Sequence, residues 1–299
     1  MDLTSLDQLI EIARKKPKRR LAVANATDKP VLEAVFQAFK LGFIEPYLIG
    51  DRKQITELAA SIGLKNDMYE LVDEPDINQT SEKAVLLVKE GFADILMKGR
   101  VRTAMLLKAV LNKETGLNKK DRLSHFALFQ TKYYHKLLGV TDAGMNISPG
   151  INEKINIIEN AVGILHKLGN PLPKVAIIAP LEIVNQKISS STDAEILTLM
   201  NKRNQINGCI IDGPFALDIA VSKKASDCKG IISKVAGDAD ILVTHDLNSG
   251  NILYKSLIFL SDGIAAAIIT GASSPIVLTS RADSEKSKLY SIAFAAALD

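Results

Sequence analysis

An α/β fold of parallel strands joined by crossover helices is what this sequence predicts, on three observations. Short runs rich in Val and Ile alternate with amphipathic segments from end to end, the rhythm of strand, crossover helix and parallel strand. The amphipathic segments each carry one apolar stripe and several close on glycine, as helices packed by one face do. Of 299 residues, 47% are hydrophobic and 24% charged, the balance of an ordinary globular chain rather than of a disordered or membrane-resident one.

In chain order, Leu6, Leu9, Ile10 and Ala13 share a helical face and run into a basic cluster from Arg14 to Arg20, which reads as a solvated helix end. Leu21 to Asn25 is the first strand. Leu32, Val35, Phe36 and Phe39 then trace a helix that Gly42 ends. Further strands are expected at Pro46 to Ile49, Ile95 to Met97, Phe126 to Phe129 and Leu137 to Thr141. Ile155, Ile158, Ala161, Val162 and Leu165 mark a helix stopped by Gly169 and Pro171. Val175 to Ala179, Cys209 to Asp212, Ile241 to Thr244, Ala266 to Thr270 and Ile276 to Thr279 complete the strands, and Leu289 to Leu298 is a last helical run. These are many strands for one sheet. The polar segment Asn112 to Arg122 puts a first domain boundary near Gly139, and Gly271 to Pro275 marks a second crossing.

Several function classes are disfavoured. The net charge of +3 is spread along the chain, so nucleic acid is not an expected partner. No run of eighteen apolar residues occurs and the chain opens Met1, Asp2, Leu3, so no membrane contact and a cytoplasmic location are expected. Cys209 and Cys228 are too few and too far apart for a zinc knuckle or redox pair. The dinucleotide, P-loop, zincin and nucleophile-elbow motifs are absent from the sequence.

Ligands of open α/β sheets collect where strands end and helices begin, and three such junctions stand out. Ile95 to Thr103 empties a strand into a glycine turn carrying Lys98, Gly99, Arg100, Arg102 and Thr103, donors and charge suited to a phosphate or pyrophosphate. Pro275 to Ser284 leads a strand into Thr279, Ser280, Arg281 and Asp283. There Ser280 or Thr279 would cap the following helix and Asp283 would sit in its first turn, which leaves Arg281 unexplained by capping. Gly237 to Ile252 ends a strand in a polar loop with His245, Asp246, Asn248, Gly250 and Asn251. A lone histidine there reads as surface or structural. His125, on a strand, reads as buried and hydrogen-bonded, and His135 and His166 receive no role.

At these junctions the sequence resembles the phosphate acetyl/butyryl transferase family, and its phosphate butyryltransferase branch most closely. Pro275 to Ser284, continuing into Lys288, Leu289, Ser291, Ile292 and Ala293, carries the resemblance. Asp94 to Thr103, Leu123 to Leu128, Val140 to Pro149, Ile211 to Asp218 and Gly237 to Lys255 follow it in family order. The resemblance implies reversible acyl transfer between acyl-CoA and inorganic phosphate, without metal, permanent cofactor or acyl-enzyme. It implies two α/β lobes of parallel and mixed sheets with helices on both faces, like isocitrate and isopropylmalate dehydrogenases, an active site in the interlobe cleft, and a homodimer or higher homo-oligomer. Residues 1–138 with 272–299 would form one lobe and 139–271 the other.

Carried over by position, Ser280 and Arg281 match the pair that holds phosphate or acyl phosphate, and Lys98, Gly99 and Thr103 match an anion loop. Arg100 or Arg102 would add a second cationic contact, Thr279 would assist, and Asn248, Gly250 and Asn251 are weaker substrate contacts. The expected mechanism is direct attack of the CoA thiolate on an acyl phosphate. A thiol of pKa about 8.5 needs a base or a positive field to supply thiolate at neutral pH. In the acetyl branch an aspartate fills that role where Ser287 stands here, so Asp283 is the candidate. His245 and Lys202 to Gln205 also depart from the butyryl pattern. The competing readings are an NAD-dependent dehydrogenase with a divalent metal on Asp238, Asp240 and Asp246, and a catalytically lapsed CoA-binding protein.

Overall fold

The fold is that of a computed structural model, which describes residues 3–117, 122–280 and 283–298. Two compact units divide it, Asp7–Asp121 with Ala266–Asp299, and Met1–Leu6 with Arg122–Ala265.

The first unit opens with α1 (Asp7–Arg14), β1 (Arg19–Ala24), α2 (Lys29–Lys40), β2 (Ile44–Gly50), α3 (Arg52–Ser61), β3 (Glu70–Asp73), α4 (Ile77–Lys89), β4 (Ile95–Lys98) and α5 (Thr103–Val110). The second is built from β5 (Ser124–Gln130), β6 (Leu138–Thr141), α6 (Ile151–Lys167), β7 (Lys174–Ile178), α7 (Ser189–Lys202), β8 (Ile210–Phe215), α8 (Leu217–Val221), α9 (Lys223–Cys228), β9 (Ile241–Val243) and α10 (Leu247–Phe259). The chain then returns through β10 (Ile264–Thr270) to β11 (Ile276–Val277) and α11 (Glu285–Ala296) in the first unit.

Local chemistry sets the helix ends. Asp28 caps α2, its carboxylate accepting from Val31 N, with Pro30 in the first turn, where a missing N–H costs nothing. Gly42, at φ 84°, closes the same helix in the left-handed region, open to glycine at no steric cost. β3 was not anticipated: only Leu71 and Val72 are apolar, and none of its residues is buried, because it is an edge strand paired to β2 alone.

In the first unit the strand order is β3-β2-β1-β4-β11-β10. β1 pairs in parallel with β2 on one side and β4 on the other, and β11 joins β4 in parallel through Ile276 with Leu96 and Val277 with Met97. The chain leaves β1 toward β2 and returns on its other side as β4, so β1 and β4 flank a topological switch point, where open sheets bind ligands at the strand ends. Leu21, Val23, Ile95, Leu96 and Met97 have no exposed surface. α11 packs on α2 and α1, and its small residues Ala293, Ala295 and Ala296 around Phe294 are buried. Phe294→Ala is expected to cost about 3–5 kcal/mol, read as a lowered midpoint in denaturant unfolding.

In the second unit the order is β5-β6-β9-β7-β8. β6, β9, β7 and β8 run parallel, and only β5 is antiparallel to its neighbour β6. The C-terminal ends of β6, β7 and β9 therefore share one edge.

Candidate active site

The switch point of the first unit is built from backbone before side chains. Gly99 N donates to Ala24 O at 3.0 Å and Arg100 N to Asn25 O at 2.8 Å, while Asn25 Nδ2 donates back to Arg100 O at 3.0 Å. Asn25 has φ 54°, a conformation asparagine tolerates better than most side chains, and Thr27 Oγ1 fixes its amide by donating to Oδ1 at 2.9 Å. Asn25 and Thr27 were not singled out from sequence. The signal available was the position of Asn25 between an apolar strand and the helix start Asp28, Lys29, Pro30.

This clamp leaves no room at Gly99, where an added Cβ would stand 2.3 Å from Asn25 O and 2.6 Å from Ala24 O. Lys98 is buried at the end of β4, whereas Arg100 and Arg102 are exposed. Arg100 lines a groove of about 530 Å³ with Thr27, Asp28 and Lys29. Arg102 is the N-cap of α5 and supplies no capping bond, so Thr103 begins that helix with its first-turn N–H groups uncapped by a side chain.

Beside this turn, β11 ends and Thr279 and Ser280 follow, Thr279 buried and Ser280 exposed. Asp283 accepts from Ser280 N at 2.6 Å through Oδ2, and Asp283 N donates to Ser280 O at 3.2 Å. Arg281, the expected phosphate contact between them, lies outside the described residues. The capping expectation is corrected: Ser284 caps α11, accepting from Ser287 N at 3.1 Å. Asp283 therefore precedes the helix and closes the Ser280 turn, while Lys288, nearly fully buried, donates to Asp283 O. Ser287 takes a hydrogen bond from Ser284 Oγ at 3.1 Å and has no acid to offer.

Thus Lys98, Gly99, Arg100, Arg102, Thr103, Thr279, Ser280 and Asp283 all lie where two adjacent parallel strands end. Asn248, Gly250 and Asn251 belong to the other unit. Asp246 caps α10, accepting from Ser249 N at 2.8 Å. Gly250 is pressed against Asp142 O, 2.3 Å from where a Cβ would be, and Asn251 Nδ2 donates to Ala143 O at 3.3 Å. These two dock α10 on the loop after β6, and Asn248 is exposed.

The remaining histidines have structural company. His125 is buried edge-on to Tyr254, centroids 5.6 Å apart. His166 lies 2.7 Å from Gly208 O, and His135 is 2.8 Å from Asp238. His245, read from sequence as a surface or structural residue, contacts Lys154 and Ser189.

A metal site on Asp238, Asp240 and Asp246 is not assembled. Asp238 and Asp240 precede β9 and Asp246 follows it, so the strand separates them. Lys136 pairs with both Asp238 and Asp240, and Lys174 with Asp238. Burial pushes Asp238 up, but hydrogen bonds from Lys174, Lys136 and His135 outweigh it and hold the carboxyl well below the usual range. Among the described residues no group of three or more His, Cys, Asp or Glu could hold a metal ion.

A family model described as phosphate acetyl/butaryl transferase matches residues 4–83 and 74–296. The chain is 44% identical over 98% of its length to a phosphate butyryltransferase of Clostridium acetobutylicum, covering 98% of that protein. It is 45% identical over 97% of its length to a probable phosphate butyryltransferase of Bacillus subtilis, covering 96%. Among solved structures, a branched-chain phosphotransacylase from Enterococcus faecalis V583 matches with TM-score 0.85 and 33% identity, over 94% of this chain and 98% of that one. A phosphotransacetylase from Streptococcus pyogenes matches in fold, with TM-score 0.80 and 21% identity over 98% of each chain. These likenesses correct the expected fold: the architecture is that of the phosphotransacylases, not an isocitrate or isopropylmalate dehydrogenase-like one. The alternation of strands and helices along the chain does not by itself choose among α/β architectures.

Proposed function

The chain belongs to the phosphate acetyl/butyryl transferase family, and from that premise we propose how its residues carry out the transfer and on which acyl group. It is an enzyme that reversibly moves an acyl group between coenzyme A and inorganic phosphate; coenzyme A and acyl-CoA are substrates. The reading of which residues do this is supported above all by the adjacent ends of β4 and β11, which bring the Lys98–Gly99 turn beside Thr279 and Ser280.

In the direction of thioester synthesis, the CoA thiolate attacks the carbonyl carbon of the acyl phosphate. The tetrahedral intermediate collapses with cleavage of the acyl C–O bond, and phosphate leaves with that electron pair. In reverse, a phosphate oxygen attacks the thioester and the thiolate leaves. Arg281, with Lys98 and Arg100 as the further cations, neutralises phosphate; Ser280 donates to the oxygen that gains charge. Backbone N–H groups at Thr103 add the field of a helix N-terminus.

Asp283 spends Oδ2 on the Ser280 N–H and keeps Oδ1 for the thiol proton. General-base catalysis contributes about 100- to 10,000-fold. Asp283→Asn retains an oxygen for the turn and loses the base, so turnover should fall at least about 100-fold with little change in KM for phosphate. A variant within twofold of wild type would leave Asp283 a turn-holder only.

A four-carbon acyl group is the proposed substrate, supported by the identity to the butyryltransferases. A homodimer is the proposed assembly, supported by exposed Ile252, Phe259 and Leu260 at α10. A cytoplasmic location accords with the free cysteines Cys209 and Cys228; among the described residues no helix is long and apolar enough to cross a membrane. Initial rates with acetyl-, butyryl- and branched acyl-CoA at saturating phosphate, with and without chelator, test this reading. Chelator-insensitive release fastest with butyryl-CoA supports it, and chelator-sensitive release or a preference for acetyl-CoA contradicts it.

A further inference from the structure

The second unit holds a polar constellation that the mechanism above does not use. Lys154 in α6 is 1% exposed. Its Nζ lies 2.5 Å from Asp193 Oδ2 in α7 and 2.9 Å from His245 Nδ1, which follows β9. His245 Nε2 in turn lies 3.1 Å from Ser189 Oγ, at the first residue of α7. Serine, histidine and aspartate at such spacing invite comparison with a catalytic triad, and the lysine inverts it. In a triad the carboxylate accepts from Nδ1–H and leaves Nε2 free to take the serine proton. Here the Asp193 carboxylate stands 3.7 Å from Nδ1, and an ammonium, which has donors and no acceptor, occupies the nearer position.

A ring nitrogen that accepts from an ammonium carries no proton, so the neutral ring keeps its hydrogen on Nε2 and donates to Ser189 Oγ. Burial first, and then the Lys154 charge, lower the His245 pKa against the opposing pull of Asp193 and Asp246, so the ring is neutral at pH 7. Ser189, accepting from the ring, turns its own hydroxyl hydrogen outward. Ser189 is therefore a hydroxyl donor oriented by the ring and not an activated nucleophile. α7 runs 14 residues behind it, and its N-cap Ile188 has no acceptor side chain; Ser191 N is spent on Ile188 O at 2.9 Å, so the N–H groups of Ser189 and Ser190 are the ones that add to the donors. Both residues sit beyond the shared C-terminal edge of β7 and β9, with Ser189 exposed and His245 half-buried. Of the two carboxylates that pull on the ring, Asp193 is paired with Lys154 Nζ at 2.5 Å and Asp246 is tied to Ser249 N and Oγ at 2.8 Å each.

We infer that the Ser189 hydroxyl donates to a phosphate oxyanion of the substrates, oriented by the His245 Nε2–H that it accepts, with Lys154 as the positioning residue that fixes the ring tautomer. This rests on the reading of the chain as a phosphate acyltransferase, in which such an oxyanion comes from inorganic phosphate or from coenzyme A.

Calorimetric titration of wild type, Ser189→Ala and His245→Phe with inorganic phosphate, CoA, dephospho-CoA and pantetheine separates the sources. Both variants should lose roughly tenfold or more in affinity for a phosphate-bearing ligand, as loss of a hydrogen bond to a charged group does, and pantetheine binding should not change. Loss with CoA but not dephospho-CoA places the 3′-phosphate there; loss with both places the pyrophosphate; loss with inorganic phosphate places the transferred group. Unchanged affinities for all three phosphate ligands overturn the inference. The imidazole ¹⁵N shifts of wild type, which need no variant, must report Nε2 protonated and Nδ1 bare, and Lys154→Met should reverse them. A wild-type ring protonated on Nδ1 overturns the inference too. Wild-type turnover is measured on the same preparation, so normal turnover with unaffected variant binding sinks this site and leaves the transferase reading in place.

Discussion

Arg281→Ala is expected to lower turnover about 100- to 1000-fold with an unchanged thermal midpoint. Ser280 follows β11, and its N–H is already bound by Asp283, so the contact that holds Ser280 is made by a residue the substitution leaves in place. A donor aimed at charge that develops during reaction is worth about 2.7–4 kcal/mol, and each factor of ten in rate corresponds to roughly 1.4 kcal/mol. Arg281→Lys should recover only part of the rate, since an ammonium lacks the planar fork that grips two phosphate oxygens. Steady-state thiol release checks both, and near-normal turnover in Arg281→Ala would remove that residue from the mechanism.

Gly99→Ala should damage stability and activity together. The added carbon would meet two backbone carbonyls, Asn25 O at 2.3 Å and Ala24 O at 2.6 Å, and neither can swing aside as a flexible side chain can. Relief requires β4 and its turn to shift against β1, breaking the bonds from Gly99 N to Ala24 O and from Arg100 N to Asn25 O. A loss of about 2–4 kcal/mol in unfolding free energy is expected, with kcat/KM down roughly 100-fold, as displacement of a binding element by about 1 Å produces. Gly163→Ala is the control: it lies within α6 with no atom near an added Cβ, and alanine there favours the helix by up to about 1 kcal/mol. Gly99→Ala matching that control would show that the turn tolerates a side chain.

What was legible in the sequence follows from what is local. Ile95 to Met97, Ile241 to Thr244 and Ile276 to Thr279 stand out because buried parallel strands are short apolar runs. β3 lacks such a run, and its edge position needs only half a buried face. The switch-point glycine and its cations were found because they occupy consecutive positions, whereas Asn25 was missed because its contact with Arg100 spans 75 residues. The same holds for Lys154, 39 residues from Asp193 and 91 from His245; nothing in the neighbourhood of His245 in sequence announces a buried lysine. The cap of α11 was misplaced because Thr279, Ser280 and Ser284 are all competent caps, and the choice depends on where β11 ends and on Lys288 holding Asp283 O.

Direct transfer without an acyl-enzyme is the claim on which the rest depends, and incubation with butyryl-CoA in phosphate-free buffer tests it most directly. Free thiol and the mass of the protein are followed before and after phosphate is added. No thiol and an unmodified chain are expected at first, then CoA and butyryl phosphate in equal amounts once phosphate is present. A burst of one thiol per chain before phosphate, with the protein heavier by one butyryl group, would contradict it.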